Sequence, residues 1–180
     1  MFSPLDWGLG HTTRSIPILQ FMNVLGWEIV IACDDRQKKI LSEAVPQAQF
    51  IQFKGYGISY GNSGIYTILK IIFQIPRIIY AMRSENSRLK KIVSLEKPDL
   101  ILSDNRYGFF HRQINSILII HQLTIKTGMG KWVDRQVNHI HQRLLQRFSA
   151  CWIPDATDEY SLAGTLSKPF NGNSLQPLYY

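Results

Sequence analysis

The sequence predicts a doubly wound α/β domain, a mostly parallel sheet with helices on both faces. Three observations carry this expectation. Strand-like and helix-like runs alternate along most of the chain, the order that builds α/β architectures. Several strand candidates (EIVIAC, DLILS, SILII) are almost continuously apolar, as strands covered on both faces must be. Strands separated by helices form βαβ units, whose right-handed crossovers place them in one parallel sheet.

The elements follow in order. FSPL is the remnant of a first strand. It is short beside the usual strand of about five residues, so the chain is expected to begin inside that strand. A helical pattern runs from Thr13 to Leu25, with Gly26 placed just past its end. WEIVIAC is a strand. DDRQKKILSEAV is an amphipathic helix capped by Asp34 or Asp35. QFIQF is a strand and KGYGISYGNSG a glycine-rich loop. Ile65 to Leu95 is one long helical pattern, bent at Pro76. DLILS and SILIIHQ are strands, KWVDRQVNHIHQRLLQRF is an amphipathic helix, and ACWIP is the last strand. Beyond Pro154 the sequence is loop-like. Residues 1–155 therefore form the domain, and 156–180 form a tail or the start of a linker.

Composition narrows the classes. At 45% hydrophobic and 18% charged residues the chain is globular, and a net charge of +7 favours an anionic partner. From Lys70 to Arg147 there are fourteen Lys/Arg against five Asp/Glu, a local excess of nine in the middle of the chain. Within this stretch the Tyr66–Met82 helix combines large apolar residues with Lys70, Arg77 and Arg83. Such a helix suits an anionic membrane surface, with a buried core helix as the alternative. No element that reads nucleic acid is recognisable, so nucleic acid is not an expected partner. Cys33 and Cys151 sit inside apolar runs without disulfide or zinc spacing, as buried strand thiols in a reducing compartment do. The most apolar long segment is interrupted by Lys70, Gln74, Pro76 and Arg77, and no secretory signal pattern opens the chain. The expected location is cytoplasmic, with peripheral contact to the inner membrane face.

In an open α/β sheet, ligands bind beyond the carboxyl ends of the strands. The polar clusters of this chain follow those ends. Asp6 to Arg14 follows the first strand, Asp104-Asn105-Arg106-Tyr107-Gly108 follows DLILS, His121-Gln122 follows SILII, and Asp155 follows ACWIP. In the first cluster, Gly8 and Gly10 permit positive φ and close backbone approach. His11, beside the start of the following helix, supplies an imidazole placed to accept a proton. Arg14 in a first helical turn calls for an anion, either a bound phosphate or a carboxylate such as Asp6 or Asp104. His139 and His141 lie two apart on an exposed helix, with no third ligand in reach, so no metal site is expected.

The stretch Pro4-Leu5-Asp6-Trp7-Gly8-Leu9-Gly10-His11-Thr12-Thr13-Arg14 resembles the first βα loop of GT-B glycosyltransferases. It is most similar to the family 28-like set, which includes the lipid-linked peptidoglycan N-acetylglucosaminyltransferase. SDNRYG, HQL and CWIPD resemble later strand-end loops of the same group. The resemblance implies a Rossmann-like half of a GT-B fold, the half that binds the acceptor. His11 and Asp104 would be catalytic. Gly8, Gly10, Thr12, Arg14, Asn105, Arg106, His121 and Gln122 would bind substrate. The donor would be a nucleotide-sugar, UDP-linked, with no cofactor and no obligatory metal. The acceptor would be a sugar or a lipid-linked sugar. The chain departs from the pattern in two ways. Pro17 lies six residues after His11, where many relatives place a proline three residues on. The donor-binding half does not follow Pro177, so the chain is expected to be a fragment, a disrupted reading frame or one subunit of a split enzyme, inactive without that half. A non-catalytic module binding an anionic ligand or membrane is the alternative. A dinucleotide-binding domain is disfavoured because His11 and Arg14 stand where that fingerprint needs a third glycine.

Overall fold

The computed structural model describes residues 1–6, 8–55, 64–155, 166 and 177–179, with the side chains of 64–75, 177 and 179 outside the description. The glycine-rich loop expected around 54–64 falls largely outside it, as do the side chains of the first part of the Tyr66–Met82 helix, on which the expectation of membrane contact rests. The described elements are β1 (Phe2–Pro4), α1 (Leu9–Arg14), α2 (Ile16–Val24), β2 (Val30–Cys33), α3 (Asp35–Ala44), β3 (Gln49–Gln52), α4 (Gly64–Glu96), β4 (Leu100–Asp104), β5 (Asn115–Ile119), α5 (Lys131–Leu145), β6 (Ala150–Ile153) and β7 (Pro177–Tyr179). Among the described residues the sheet has seven strands in the order β3-β2-β1-β4-β5-β6-β7. Every pairing is parallel. The chain is a Rossmann-like α/β domain.

Strand alternation distributes the core to both faces. Ile31, Leu102 and Ile119 pack with Leu19 of α2 and Leu41 of α3 on one side. Ala32 and Ile101 pack with Leu89 and Val93 of α4 on the other. Leu118, Cys151 and Ile153 extend that second side beneath Leu145 of α5. With both faces covered, the strands need apolar residues at every position, which is the pattern read in the sequence. Burial pushes both core thiols, Cys33 and Cys151, up to about 12, so they remain protonated.

Local signals set the helix ends. Asp34 caps α3 through a reciprocal box, accepting from the Gln37 backbone N–H at 2.8 Å while the Gln37 side chain accepts from the Asp34 N–H. Gly26, at φ +82°, closes α2 in a Schellman turn. Its N–H donates to the Asn23 carbonyl, and that of Trp27 donates to Met22. Pro76 stands inside α4, which continues through it to Glu96.

Three expectations are corrected. The first helix begins at Leu9 rather than Thr13, and is split from α2 at Ser15. Pro17 has no N–H to give to the Thr13 carbonyl, so the two pieces do not share one ladder. Gly8 precedes α1 with φ +95°, whereas Gly10 is an ordinary helical residue in its first turn. The tail is not wholly loop-like, because Pro177–Tyr179 adds a seventh strand parallel to β6, in register Trp152↔Leu178. A proline is accommodated as the first residue of an edge strand, where its missing N–H leaves no ladder gap.

Candidate functional site

The strand order reverses between β1 and β4, and the loops leaving those neighbours diverge in opposite directions. In open α/β sheets this reversal opens a crevice beyond the carboxyl ends. A cavity of about 450 Å³ lies there. Its walls are His11 from α1, Asn105 and Tyr107 from the loop after β4, and Ile120, His121 and Gln122 following β5. Ile78 and Met82 of α4, Ile125 of the loop before α5 and His141 of α5 complete it.

Alternation along β4 aims the key carboxylate. Ile101 and Ser103 face α4, so Leu102 and Asp104 face the side that carries α1 and α2. Asp104 has no exposed surface there and accepts several bonds. The Arg14 guanidinium grips both of its oxygens, Nε donating to Oδ2 at 3.1 Å and Nη2 to Oδ1. Ser15 Oγ donates to Oδ2 at 3.4 Å. His11 Nδ1 lies 3.2 Å from Oδ1 and 2.7 Å from Arg14 Nη2. The carboxylate partner that Arg14 called for is therefore Asp104. Because α1 begins early, Arg14 sits in its last turn, where the helix dipole favours a cation. With Nδ1 turned toward Asp104 and Arg14, Nε2 is the His11 nitrogen left for a ligand.

Beyond His11 stands His121, with ring centroids 6.5 Å apart. Burial, then the Arg14 guanidinium, hold His121 below its ordinary range, so its ring is neutral. Asn105 opens the β4 loop at φ +56°, a conformation asparagine tolerates, and its N–H donates to the Ile119 carbonyl at 3.0 Å. Gln122 lies exposed at the mouth.

Six predicted residues do not line the crevice: Asp104, Arg106, Thr12, Arg14, Gly8 and Gly10. Asp104, expected to be catalytic, is fully buried and meets a ligand only through His11. Arg106 is fully buried on the opposite side of the loop. Its Nε donates to Glu85 Oε1 at 2.5 Å, and its Nη1 and Nη2 donate to the Pro4 and Lys54 carbonyls. Thr12 is also fully buried and accepts from Gln37 Nε2 at 3.3 Å, so it packs α1 onto α3. Neither glycine lines the crevice. Gly8 supplies the positive φ before α1, and no atom lies within 4 Å of a Cβ built at Gly8 or Gly10.

Two polar lining residues, His141 and Tyr107, are not among the predicted site residues. His141, expected on an exposed surface, is buried at the back of the crevice. Tyr107 Oη and the His141 Nε2 share a hydrogen bond at 2.9 Å. Burial, and then the Cys151 thiol, push the Tyr107 phenol above its ordinary range, so it stays a donor. Burial lowers His141 to about 4. Its ring is neutral at physiological pH. The loop that covers it is pinned to α5. Asn138 exchanges two 2.8 Å bonds with the Ile125 backbone, and Asp134 accepts from the Thr127 N–H and Oγ1. Those Thr127 bonds hold Asp134 below its ordinary range.

Among the described residues, no group of three or more His, Cys, Asp or Glu is arranged to hold a metal ion. Nor is any helix among them long and apolar enough to cross a membrane.

No protein-family profile and no curated protein matches this chain. Among solved structures, the glycosyltransferase of kitacinnamycin superposes with a TM-score of 0.59 at 13% sequence identity. The match covers 84% of this chain and 44% of that one, so the chain spans less than half the length of that enzyme. At such identity the shared property is the fold, and the chain has a glycosyltransferase-like α/β fold.

Proposed function

We propose that this chain is the acceptor-binding half of a nucleotide-sugar-dependent glycosyltransferase of GT-B architecture, akin to the family 28-like set. It would act with a donor-binding domain or subunit. The observation that carries the reading is the convergence of His11, Asn105, His121 and Gln122, from three separate turns, on one crevice at the switch point, with a buried carboxylate behind His11.

His11 Nδ1–H donates to Asp104, which fixes the ring and leaves the Nε2 lone pair facing the acceptor hydroxyl. As that hydroxyl oxygen bonds to the anomeric carbon of the donor, its proton passes to Nε2. The bond from that carbon to the nucleoside diphosphate, a UDP group in this reading, breaks in the same displacement. Asp104 and Arg14 are positioning residues. Neutral His121 and Asn105 offer hydrogen bonds to the acceptor sugar.

The test is sugar transfer from a panel of UDP-sugars by the chain together with its donor-binding partner. His11→Ala is expected to lower turnover about a hundredfold or more, with the melting temperature unchanged. Nitrogen-15 shifts of His11 report the tautomer independently. A proton on Nδ1 supports the base role. A proton on Nε2, with Nδ1 accepting from Arg14, or an unchanged turnover in His11→Ala, removes His11 as the base.

A further inference from the structure

Beyond Met82, which also borders the crevice, two recesses of about 430 and 290 Å³ open along the exposed face of α4 and meet at Asn86, Lys90 and Phe110. Together they form one furrow. Arg83 and Arg147 line one end, Lys90 the middle and Arg112 the other end, and no Asp or Glu lines either recess. Arg83, Ser87 and Lys90 follow helical spacing on the outer face of α4, while Glu85 turns inward to Arg106. Among the described residues, Arg83, Lys90 and Arg112 have no carboxylate partner.

The frame is fixed rather than loose. Asn86 Nδ2 donates to the Gly108 and Phe110 carbonyls at 3.0 and 2.7 Å, tying the loop after β4 to α4. The His111 N–H donates to Ser116 Oγ at 3.0 Å. His111 Nδ1 accepts from the Gln113 N–H at 3.3 Å. The Arg147 guanidinium lies 5.7 Å over the Phe110 ring.

We propose that this furrow binds a soluble anion carrying two or more phosphates, at a site separate from the crevice. Four cations gathered without acids repel one another, and an anion of repeated charge relieves that repulsion. Guanidinium forks suit phosphate oxygens, and their spread along the furrow matches a chain of phosphates rather than a single ion. A concave recess admits such a chain, whereas a bilayer presents a flat face.

Tripolyphosphate is the probe, titrated at low salt by calorimetry and by amide spectra of the nitrogen-15-labelled chain. The expected result is saturable one-site binding with shifts confined to residues 83–90, 110–113 and 147. Lys90→Gln with Arg112→Gln weakens it about tenfold or more. An equal charge loss on α3, Arg36→Gln with Lys39→Gln, leaves it unchanged. All four side chains are exposed, so the variants keep the fold, and circular dichroism checks this. The proposal is overturned by absence of saturation or by equal weakening in the α3 variant. Binding to phosphatidylglycerol vesicles without any response to tripolyphosphate also overturns it, and assigns the furrow to a membrane surface. Because no crevice residue is altered, this outcome is independent of the transferase reading.

Discussion

Asp104 and His141 show how position along an element decides what a side chain does. Asp104 ends an apolar strand, and the two-residue period of that strand turns it under α1, where Arg14 and His11 meet it. That much was legible, because a carboxylate ending a buried strand has few other places to point. His141 was not legible. Its helix reads as amphipathic with His139 and His141 outward, and what buries His141 is the 122–130 loop folded back by Asn138 and Asp134. The burial has a measurable consequence. With a folded value near 4 against an ordinary 6.5, the unfolded chain binds the extra proton between those limits. The contribution is therefore fully present above about pH 6.5 and is lost as pH falls toward 4. It amounts to on the order of 3 kcal/mol. Urea denaturation from pH 7 to 4.5 should show this decline. His141→Gln keeps an acceptor for Tyr107 Oη without titrating, and its stability should fall less over the same range. An identical decline in the variant would assign the pH dependence to other groups.

At the scale of elements, two glycines with different duties permit a comparison. Gly26 holds φ +82° at the end of α2 in open space, so Gly26→Ala should cost about 1 kcal/mol from backbone strain alone. Gly108 packs its Cα face against Glu85 and the Met82 carbonyl of α4. A Cβ there must displace a buried, paired carboxylate or helix backbone. Gly108→Ala should cost more, about 2–3 kcal/mol. Equilibrium denaturation of both variants checks the order, and equal losses would show that the loop yields easily. The Gly26 cap was readable from the glycine at the end of a helical period. Gly108 was readable only as part of a turn, because its neighbour Glu85 is contributed by a helix far away in sequence. Arg106 misled for the same reason. A strand-end arginine resembles a ligand group until Glu85 and two carbonyls are seen to enclose it. β7 escaped notice because three residues opening with proline give no periodicity to count.

For the whole molecule, the sheet order places β4 at the centre, flanked by β1 and β5, and β3 and β7 at the edges. Amide hydrogen exchange should follow that order. Amides of β4 and β5 should exchange slowest, close to the global unfolding limit, and those of β7 fastest. Slow exchange at β7 would mean that its edge is covered. The parallel architecture was legible because continuous apolar strands admit few other arrangements, and the switch point then fixed where the strand-end residues met. The segment joining β4 to β5 has a further consequence. One of its sides borders the crevice through Asn105 and Tyr107, and the other borders the α4 furrow through Phe110 and Arg112. Asn86 and the Glu85–Arg106 pair rivet it to the helix between. It works as a single bracket framing two mouths. Alterations at Gly108, Glu85 or Arg106 will blur both together, so variants that silence one mouth and spare the other have to be made at the outward tips of the bracket.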